Sequence, residues 1–288
     1  MDTERVRALL CAIEKGSLTA ASEELGYTTS GISRMMAALE EETGFALLVR
    51  GREGVFPTEE CRQLLPVMRR LLAVADAYTQ TAGEISGLAR GTIRIGTSYY
   101  AYYRQFAELL ADFGREYPGI KIELLDGTST ELLQAMDEHR ADLCIISRRP
   151  GNYNWTLLKK DRLLACLPED HPLAGRKRFP VSAFAEEDFI ELYPGKETDN
   201  SRMLQQHNIT PKVKYSTSDN YAAYAMVAAG LGIACTTAII GESFTEGVRN
   251  LPLTPAQTGE IGIATPKAKS LSPAAKRFTD FALEHFKK

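Results

Sequence analysis

Cysteine is scarce in this chain: five among 288 residues, at 11, 61, 144, 166 and 235, and no two stand in a CxxC spacing. An odd count without that spacing argues against a disulfide framework or a zinc ribbon. Each cysteine sits among apolar neighbours, as in DLCII and GIACT, which suits reduced, buried thiols. A redox pair or a metal site is the other reading. Histidine is rarer still, at 139, 171, 207 and 285, and none pairs with a plausible nucleophile. The HExxH, GxSxG and P-loop patterns are missing. GLG at 230–232 precedes a strand-like run rather than opening a helix, so it is no dinucleotide fingerprint. No catalytic residue, metal ligand or cofactor is therefore expected. No apolar run reaches the roughly 18 residues of a membrane span. The acidic start MDTERVRALLCAIEKGS lacks the build of a signal peptide, so a cytoplasmic protein without a membrane partner is expected. Net charge is only −3, which gives no bulk sign of nucleic-acid binding and says nothing about local patches.

What is present is an ordinary globular composition, 44% hydrophobic and 25% charged, at a length that suits about two domains. Val6, Leu9, Leu10 and Ile13 recur at helical spacing until Gly16. Ser17 caps a short second helix, LTAASEEL, which Gly26 breaks. A third helix starts at Thr28 or Thr29 and ends at Gly44, with Ile32, Met35, Met36 and Leu39 as an inward stripe. ALLVR and VFPT flank GREG and read as a hairpin. Residues 59–88 form one long helical segment with a broad apolar face, in which Pro66 suggests a kink. So rich a face needs a partner, and a second copy is the simplest one. GLARG at 87–91 breaks the segment as a hinge. From Thr92 the texture becomes β-α-β-α-β, which implies a parallel sheet covered by helices. Further strands are expected near LLACLP, DFIELY, KVKYSTS, GIACT and EIGIAT, with helices at NYAAYAMVAAG and SPAAKRFTDFALEHF.

The stretch TTSGISRMMAALEEETG, 28–44, opens a good helix with small hydroxyls and one outward arginine. A short helix, a glycine turn and such a helix make a helix-turn-helix, whose second helix enters the major groove. Thr28, Thr29, Ser30, Ser33 and Arg34 lie off the apolar stripe; hydroxyls let a helix end approach phosphates closely, and Arg34 can take guanine or a phosphate. The hairpin would act as a wing with Arg50 and Arg52 on the backbone. Read alone, the pattern also fits a small helical bundle with a solvated face.

GSLTAASEELGYTTSGISRMMAALEEETGFALLVRGREGVFPT, 16–58, resembles the N-terminal region of LysR-type transcriptional regulators. The likeness rests on GS-x-x-x-AA-x-x-L, the Ser33–Arg34 pair, LE-x-x-x-G, L-x-x-R and the threonine after the wing, and MVAAGLGIA at 226–234 is similar to a family segment. The resemblance implies an α/β protein overall: a winged helix-turn-helix (1–58), a linker helix (59–88), a hinge (89–91) and a two-lobed effector-binding domain (92–288). It implies double-stranded DNA as partner, a homodimer through the linker helix and a homotetramer. The chain departs from the family at Thr29 and Ser30, where glutamine and often proline stand, at Gly31 in place of alanine, and at Met35 in place of a polar residue. Residues 1–60 carry six basic groups against eleven acids, a net of −5, so binding must rest on focused contacts more than on bulk charge.

By the same resemblance the lobes are of the type II periplasmic-binding-protein kind, lobe I at 92–160 and 266–288 and lobe II at 161–265. A small effector would lie between them, at strand ends and helix starts. Those places are Thr97, Ser98 and Tyr99; Thr128 and Ser129; Ser147, Arg148 and Arg149; Tyr193 to Thr198; and Ser218 to Asn220. Hydroxyls at helix starts suit a carboxylate, with Arg148 as counter-charge. Ser98 and Thr128 also read as plain caps, and Arg148 as a surface arginine. Tyr99, Tyr100, Tyr102 and Tyr103 favour a flat, aromatic effector, or fill a core. The alternative function is an enzyme or small-molecule carrier on the same fold. A third, redox sensing, is disfavoured because peroxide-responsive members use two cysteines in lobe II near 199–210, where this chain has none.

Overall fold

The computed structural model describes residues 2–51, 54–86, 90–98, 104–267 and 271–286. The chain separates into two compact units, Met1–Gly91 with Glu138–Arg140, and Thr92–Asp137 with Ala141–Lys288. Arg52, Tyr99, Tyr100, Tyr102, Tyr103 and residues 87–89 lie outside the described residues.

In the first unit α1 (Thr3–Lys15), α2 (Leu18–Leu25) and α3 (Thr29–Thr43) each start on a side-chain cap and stop on a left-handed glycine. The caps are Asp2, Ser17 and Thr28, which accept the N–H of Glu4, Ala20 and Gly31. Leu9, Ala12, Ala21, Ile32, Met36 and Leu39 are fully buried between the three helices, whereas Met35 is only half-buried. β1 (Leu48–Gly51) and β2 (Gly54–Pro57) pair antiparallel with Arg50 opposite Val55. Thr58 then caps α4 (Glu59–Ile85), which runs through Pro66. Cys61, Leu65, Met68 and Leu72 turn into the core, while Val67, Val74, Tyr78 and Ile85 are exposed on the single chain.

The second unit runs β3 (Gly91–Thr97), α5 (Arg104–Glu116), β4 (Ile120–Leu125), α6 (Ser129–Asp137), β5 (Leu143–Ser147) and the long β6 (Tyr153–Pro168). After β7 (Phe179–Pro180) and a 3-10 turn at Val181–Ala185 come β8 (Asp188–Leu192), α7 (Asp199–Gln206), β9 (Lys212–Thr217) and α8 (Asn220–Ala228). The chain closes with β10 (Ala234–Thr237), α9 (Ala238–Gly241), β11 (Val248–Thr254), β12 (Thr258–Pro266) and α10 (Pro273–His285). One sheet has the order β4-β3-β5-β12-β6-β11-β7, with β10 also on β6, and β8 and β9 form a separate parallel pair. Side chains alternate across β5. Leu143 and Ile145 meet Phe106, Phe113 and Phe278 of α5 and α10, and Cys144 and Ile146 meet Leu132 and Met136 of α6. A second core gathers Leu163, Leu167, Phe179, Phe184 and Phe189.

The parallel sheet expected from the β-α-β-α-β stretch is extended by antiparallel strands. β3 and β5 are parallel, but β12 runs antiparallel to both β5 and β6. The return to the first lobe also comes earlier than 266: Ile261–Ala264 already pair with Cys144–Ser147, so β12 belongs with β3 and β5. β6 serves both lobes, bonded to β12 along its first part and to β10 and β11 along its second.

Candidate functional site

The outward side of α3 is built by its cap. Thr28 accepts the Gly31 N–H at 3.1 Å, and its hydroxyl lies 3.2 Å from that of Ser30. Thr29 meets the buried Ser22 hydroxyl at 3.1 Å, which ties the start of α3 to α2 across the turn. Thr28, Thr29, Ser30 and Arg34 are exposed and Ser33 is half-buried. Arg34 folds back along the helix, its Nε 3.4 Å from the Ser30 carbonyl. Arg50 is exposed on β1. Thr29 thus has a structural partner in the turn, while Ser30 and Arg34 present the polar, cationic surface of the helix.

The second unit brings several expected residues together. Thr97, at the end of β3, is buried and Ser98 half-buried. The buried Ser129 accepts the Ser147 N–H at 3.2 Å, so the start of α6 is stitched to the end of β5. Thr128 gives both its N–H and its hydroxyl to Glu131 at 2.9 Å. Lys196, from the other lobe, reaches Glu131 at 2.9 Å. The Lys196 contact, and then the Thr128 N–H, hold the Glu131 carboxyl down at about 2. Tyr193 adopts a positive φ of 57° and its hydroxyl accepts from Asn220 at 3.1 Å. Ser218 is exposed.

Of the two arginines that follow Ser147, Arg148 lies outward and Arg149 inward. Arg148 is largely exposed and lies over the Trp155 ring, 5.2 Å from its centroid. Arg149 is the inward one: its side chain is 5% exposed and its Nη1 donates to Asp199 at 2.8 Å. Asp199, at the start of α7, also accepts from the Ser147 hydroxyl. Tyr153 fixes the loop between them, accepting the Arg149 N–H at 3.0 Å and donating to its carbonyl. Sequence reasoning passed over Asp199 because DNSRMLQQ shows no apolar stripe, so α7 itself was not expected. The one usable signal was Thr198 followed by Asp199, an N-cap pattern.

Comparison with known proteins agrees with this architecture. A family described as "LysR substrate binding domain" matches residues 86–287, and one described as "Bacterial regulatory helix-turn-helix protein, lysR family" matches residues 3–62. The chain is 28% identical over 289 residues to the uncharacterized HTH-type transcriptional regulator YvbU of Bacillus subtilis (strain 168), covering 99% of each. Full-length CbnR complexed with its target DNA matches with a TM-score of 0.69 at 17% identity, over 99% of this chain and 100% of that one. The effector binding domain of QuiR in complex with shikimate matches with a TM-score of 0.60 at 23% identity, over 69% of this chain and 98% of that one. The two structural likenesses are likenesses of fold.

Proposed function

The chain belongs to the LysR family of bacterial transcriptional regulators, and from that premise we propose which of its surfaces read DNA, pair subunits and take an effector. It is a DNA-binding regulator with an effector-binding domain. In our reading α3 enters the major groove, with Ser30, Ser33 and Arg34 at the bases and phosphates. Thr28 and Thr29 hold the helix start, whose backbone N–H groups favour a phosphate. Arg50, with Arg52 beside it in the chain, sits on the DNA backbone as a wing. The exposure of Ser30 and Arg34 on the side of α3 away from the buried Ile32, Met36 and Leu39 supports this.

Two copies pair through α4. Val67, Val74, Tyr78 and Ile85 are 60%, 62%, 77% and 84% exposed on the single chain, and their spacing places them along one stripe. Pairing would set two α3 helices at successive turns of the operator, and the sensor lobes would join two dimers into a tetramer.

The effector is a small carboxylate held between the lobes by Thr97, Ser98, Thr128, Ser129, Ser147, Tyr193 and Ser218, with Tyr99 beside them in sequence. The observation that carries this is the meeting of Ser129 and Ser147 at adjoining helix and strand ends, next to the buried Arg149. The shikimate held by the similar QuiR domain supports the chemical class. Binding changes the closure of the lobes, and a useful switch needs about 1–3 kcal/mol of differential affinity. The test is footprinting of the full chain on DNA enriched from random sequence, with and without a panel of small carboxylates. A footprint that lengthens or shortens with one carboxylate, and stays fixed with Ser98→Ala, is the expected result. A footprint indifferent to every carboxylate but sensitive to a cationic or neutral compound overturns the effector class.

A further inference from the structure

The second lobe holds a cavity that the effector reading does not use. It measures about 550 Å³, within the range of small-molecule sites. None of Thr97, Ser98, Thr128, Ser129 and Ser147 lines it. It lies on the face of the β8–β9 pair that α7 covers. Phe189 on β8 packs there with Met203 and Leu204 of α7, whereas the next residue, Ile190, turns to Ala223 and Val227 of α8. On β9, Val213 pairs with Phe189 and Tyr215 with Ile190, which leaves Lys214 as an extra residue in the ladder. Such a bulge re-aims the side chains beside it. Tyr215 joins the α8 side, and Val213 keeps to the α7 side.

The cavity exists because α7 is short. Its eight residues give about 12 Å of helix, enough to cover β8 but not β9. Phe189 is accordingly 4% exposed, and its partner Val213 is 48% exposed. Leu204, Ile209 and Pro211 wall the apolar hollow between helix and strand. Among the described residues that line it, Glu191 alone carries a charge. It stands two residues beyond Phe189 on β8, so it shares that face, and it is half-buried. No hydrogen bond or ion pair reaches its carboxylate from the described residues. The cations nearby in the chain are engaged elsewhere: Lys214 with Asp188 at 2.7 Å, Lys212 with the Glu186 carbonyl at 2.9 Å, and Lys196 with Glu131 at 2.9 Å. The polar groups at the start of α7 are also spent. Thr198 and Ser201 cap the helix reciprocally, and Asn200 donates to the Cys235 carbonyl at 2.7 Å. A carboxylate drawn partly out of water without a donor is costly, and a cation beside it removes that cost.

We propose that this hollow is a second binding site, separate from the space between the lobes, and that it takes a small organic amine. Glu191 receives the ammonium group, and Phe189, Leu204, Ile209 and Val213 receive the apolar body. The site does not depend on the carboxylate effector and excludes such a ligand by its own charge. Its occupant joins α7 to the uncovered β9. The same helix carries Asp199, which holds Ser147 and Arg149 of the first lobe. The amine therefore acts on the helix through which the lobes touch, and supplies an input distinct from the effector's.

The test uses the full chain at neutral pH. Benzylamine is the probe, benzyl alcohol its uncharged counterpart, and sodium chloride of matched ionic strength the salt control. Benzylamine at about 10 mM raises Tm by about 2 °C or more beyond either control. Glu191→Gln brings benzylamine down to the level of benzyl alcohol. Because it removes an unpartnered charge, it does not lower the Tm of the free chain. Val213→Lys, at an exposed position, sets a cation of the chain's own over the hollow and abolishes the gain. Ser98→Ala, in the space between the lobes, keeps the gain. Benzylamine that performs no better than benzyl alcohol on the wild-type chain overturns the site, as does a gain retained in Glu191→Gln or in Val213→Lys. A gain lost in Ser98→Ala also overturns it, by moving the amine to the space between the lobes. Val213→Lys decides the question by itself if Glu191→Gln is insoluble.

Discussion

Glu40, near the end of α3, accepts the backbone N–H of Leu47 at 2.7 Å, and with the same oxygen that of Leu48 at 3.2 Å. One carboxylate thus holds the helix proposed to read DNA against the strand proposed as the wing. On the far side Thr58 donates to the Ala46 carbonyl at 2.8 Å and closes the same loop. Glu40→Ala leaves two strand N–H groups without their acceptor, at a cost of about 1–3 kcal/mol in urea unfolding. Glu40→Gln keeps an acceptor oxygen and loses less. Equal losses in the two variants would mean that charge, not the hydrogen bonds, matters here.

Arg34→Ala weakens binding to selected DNA by about tenfold or more, equivalent to the 1–3 kcal/mol of a good bidentate base contact, without lowering Tm. Arg50→Ala weakens binding to all sequences alike and makes the salt dependence shallower by about one unit of log–log slope. Because the first 60 residues carry a net −5, the wild-type slope itself is shallow. Fluorescence anisotropy across a salt series measures all three, and a wild-type slope steeper than about −8 contradicts focused binding.

Gly54→Ala is harmful out of proportion to its size. The residue has φ of 123°, and a Cβ there would stand 2.5 Å from the Gly16 carbonyl oxygen, which accepts the Val55 N–H at 2.8 Å. The wing must move off the end of α1, so a loss above about 1 kcal/mol in unfolding is expected, together with weaker DNA binding. Gly51→Ala in the same hairpin, with open space around it, serves as the comparison.

The Lys196–Glu131 pair makes part of the second unit's stability depend on pH. Glu131 titrates at about 2 in the fold against an ordinary 4.5, chiefly because of Lys196. The unfolded chain therefore takes up the proton first on acidification. The contribution is fully present above about pH 4.5 and is lost as pH falls from there toward 2. Lys196→Met lowers Tm at pH 7, and the gap to wild type narrows by pH 3. A gap of constant size between those two pH values would exclude the linkage.

Burial pushes the Cys61 thiol up to about 11 and those of Cys144 and Cys166 to about 12, and raises Cys235 as well. Thiolate is the reactive form. These four therefore resist a disulfide reagent at pH 8 until the chain unfolds, and peroxide leaves DNA affinity unchanged. Rapid labelling of a buried cysteine in the native chain, or a peroxide-dependent footprint, would revive the redox reading.

What could be read in the sequence is what local chemistry decides. Asp2, Ser17 and Thr28 against Gly16, Gly26 and Gly44 mark three helices by caps alone, and the Ile32–Met36–Leu39 stripe orients the third. The first part of β6 was missed because NWTLLKKDR reads as a charged segment; its pairing with β12 makes it a strand. β11 was hidden by Pro252, which nonetheless pairs with Leu164. The site failed in the same way. Ser147 and Ser129 were found because they end a strand and begin a helix. Arg149 and Asp199 meet across fifty residues of chain, and no local pattern joins an arginine after one strand to an aspartate opening a polar helix.

β6 makes the two lobes mechanically one piece. They are joined by a strand hydrogen-bonded along both parts of its length, so they cannot swing apart as on a loose thread. Opening must wring the strand like a torsion bar. The one irregularity in its pairing with β12, the register shift at Ile261 and Gly262, lies within the first lobe, where a Cβ on Gly262 would strike the Thr156 carbonyl and the Trp155 ring. Work done by an effector bound where we propose, between the lobes, would be stored as twist in β6 and given back on release.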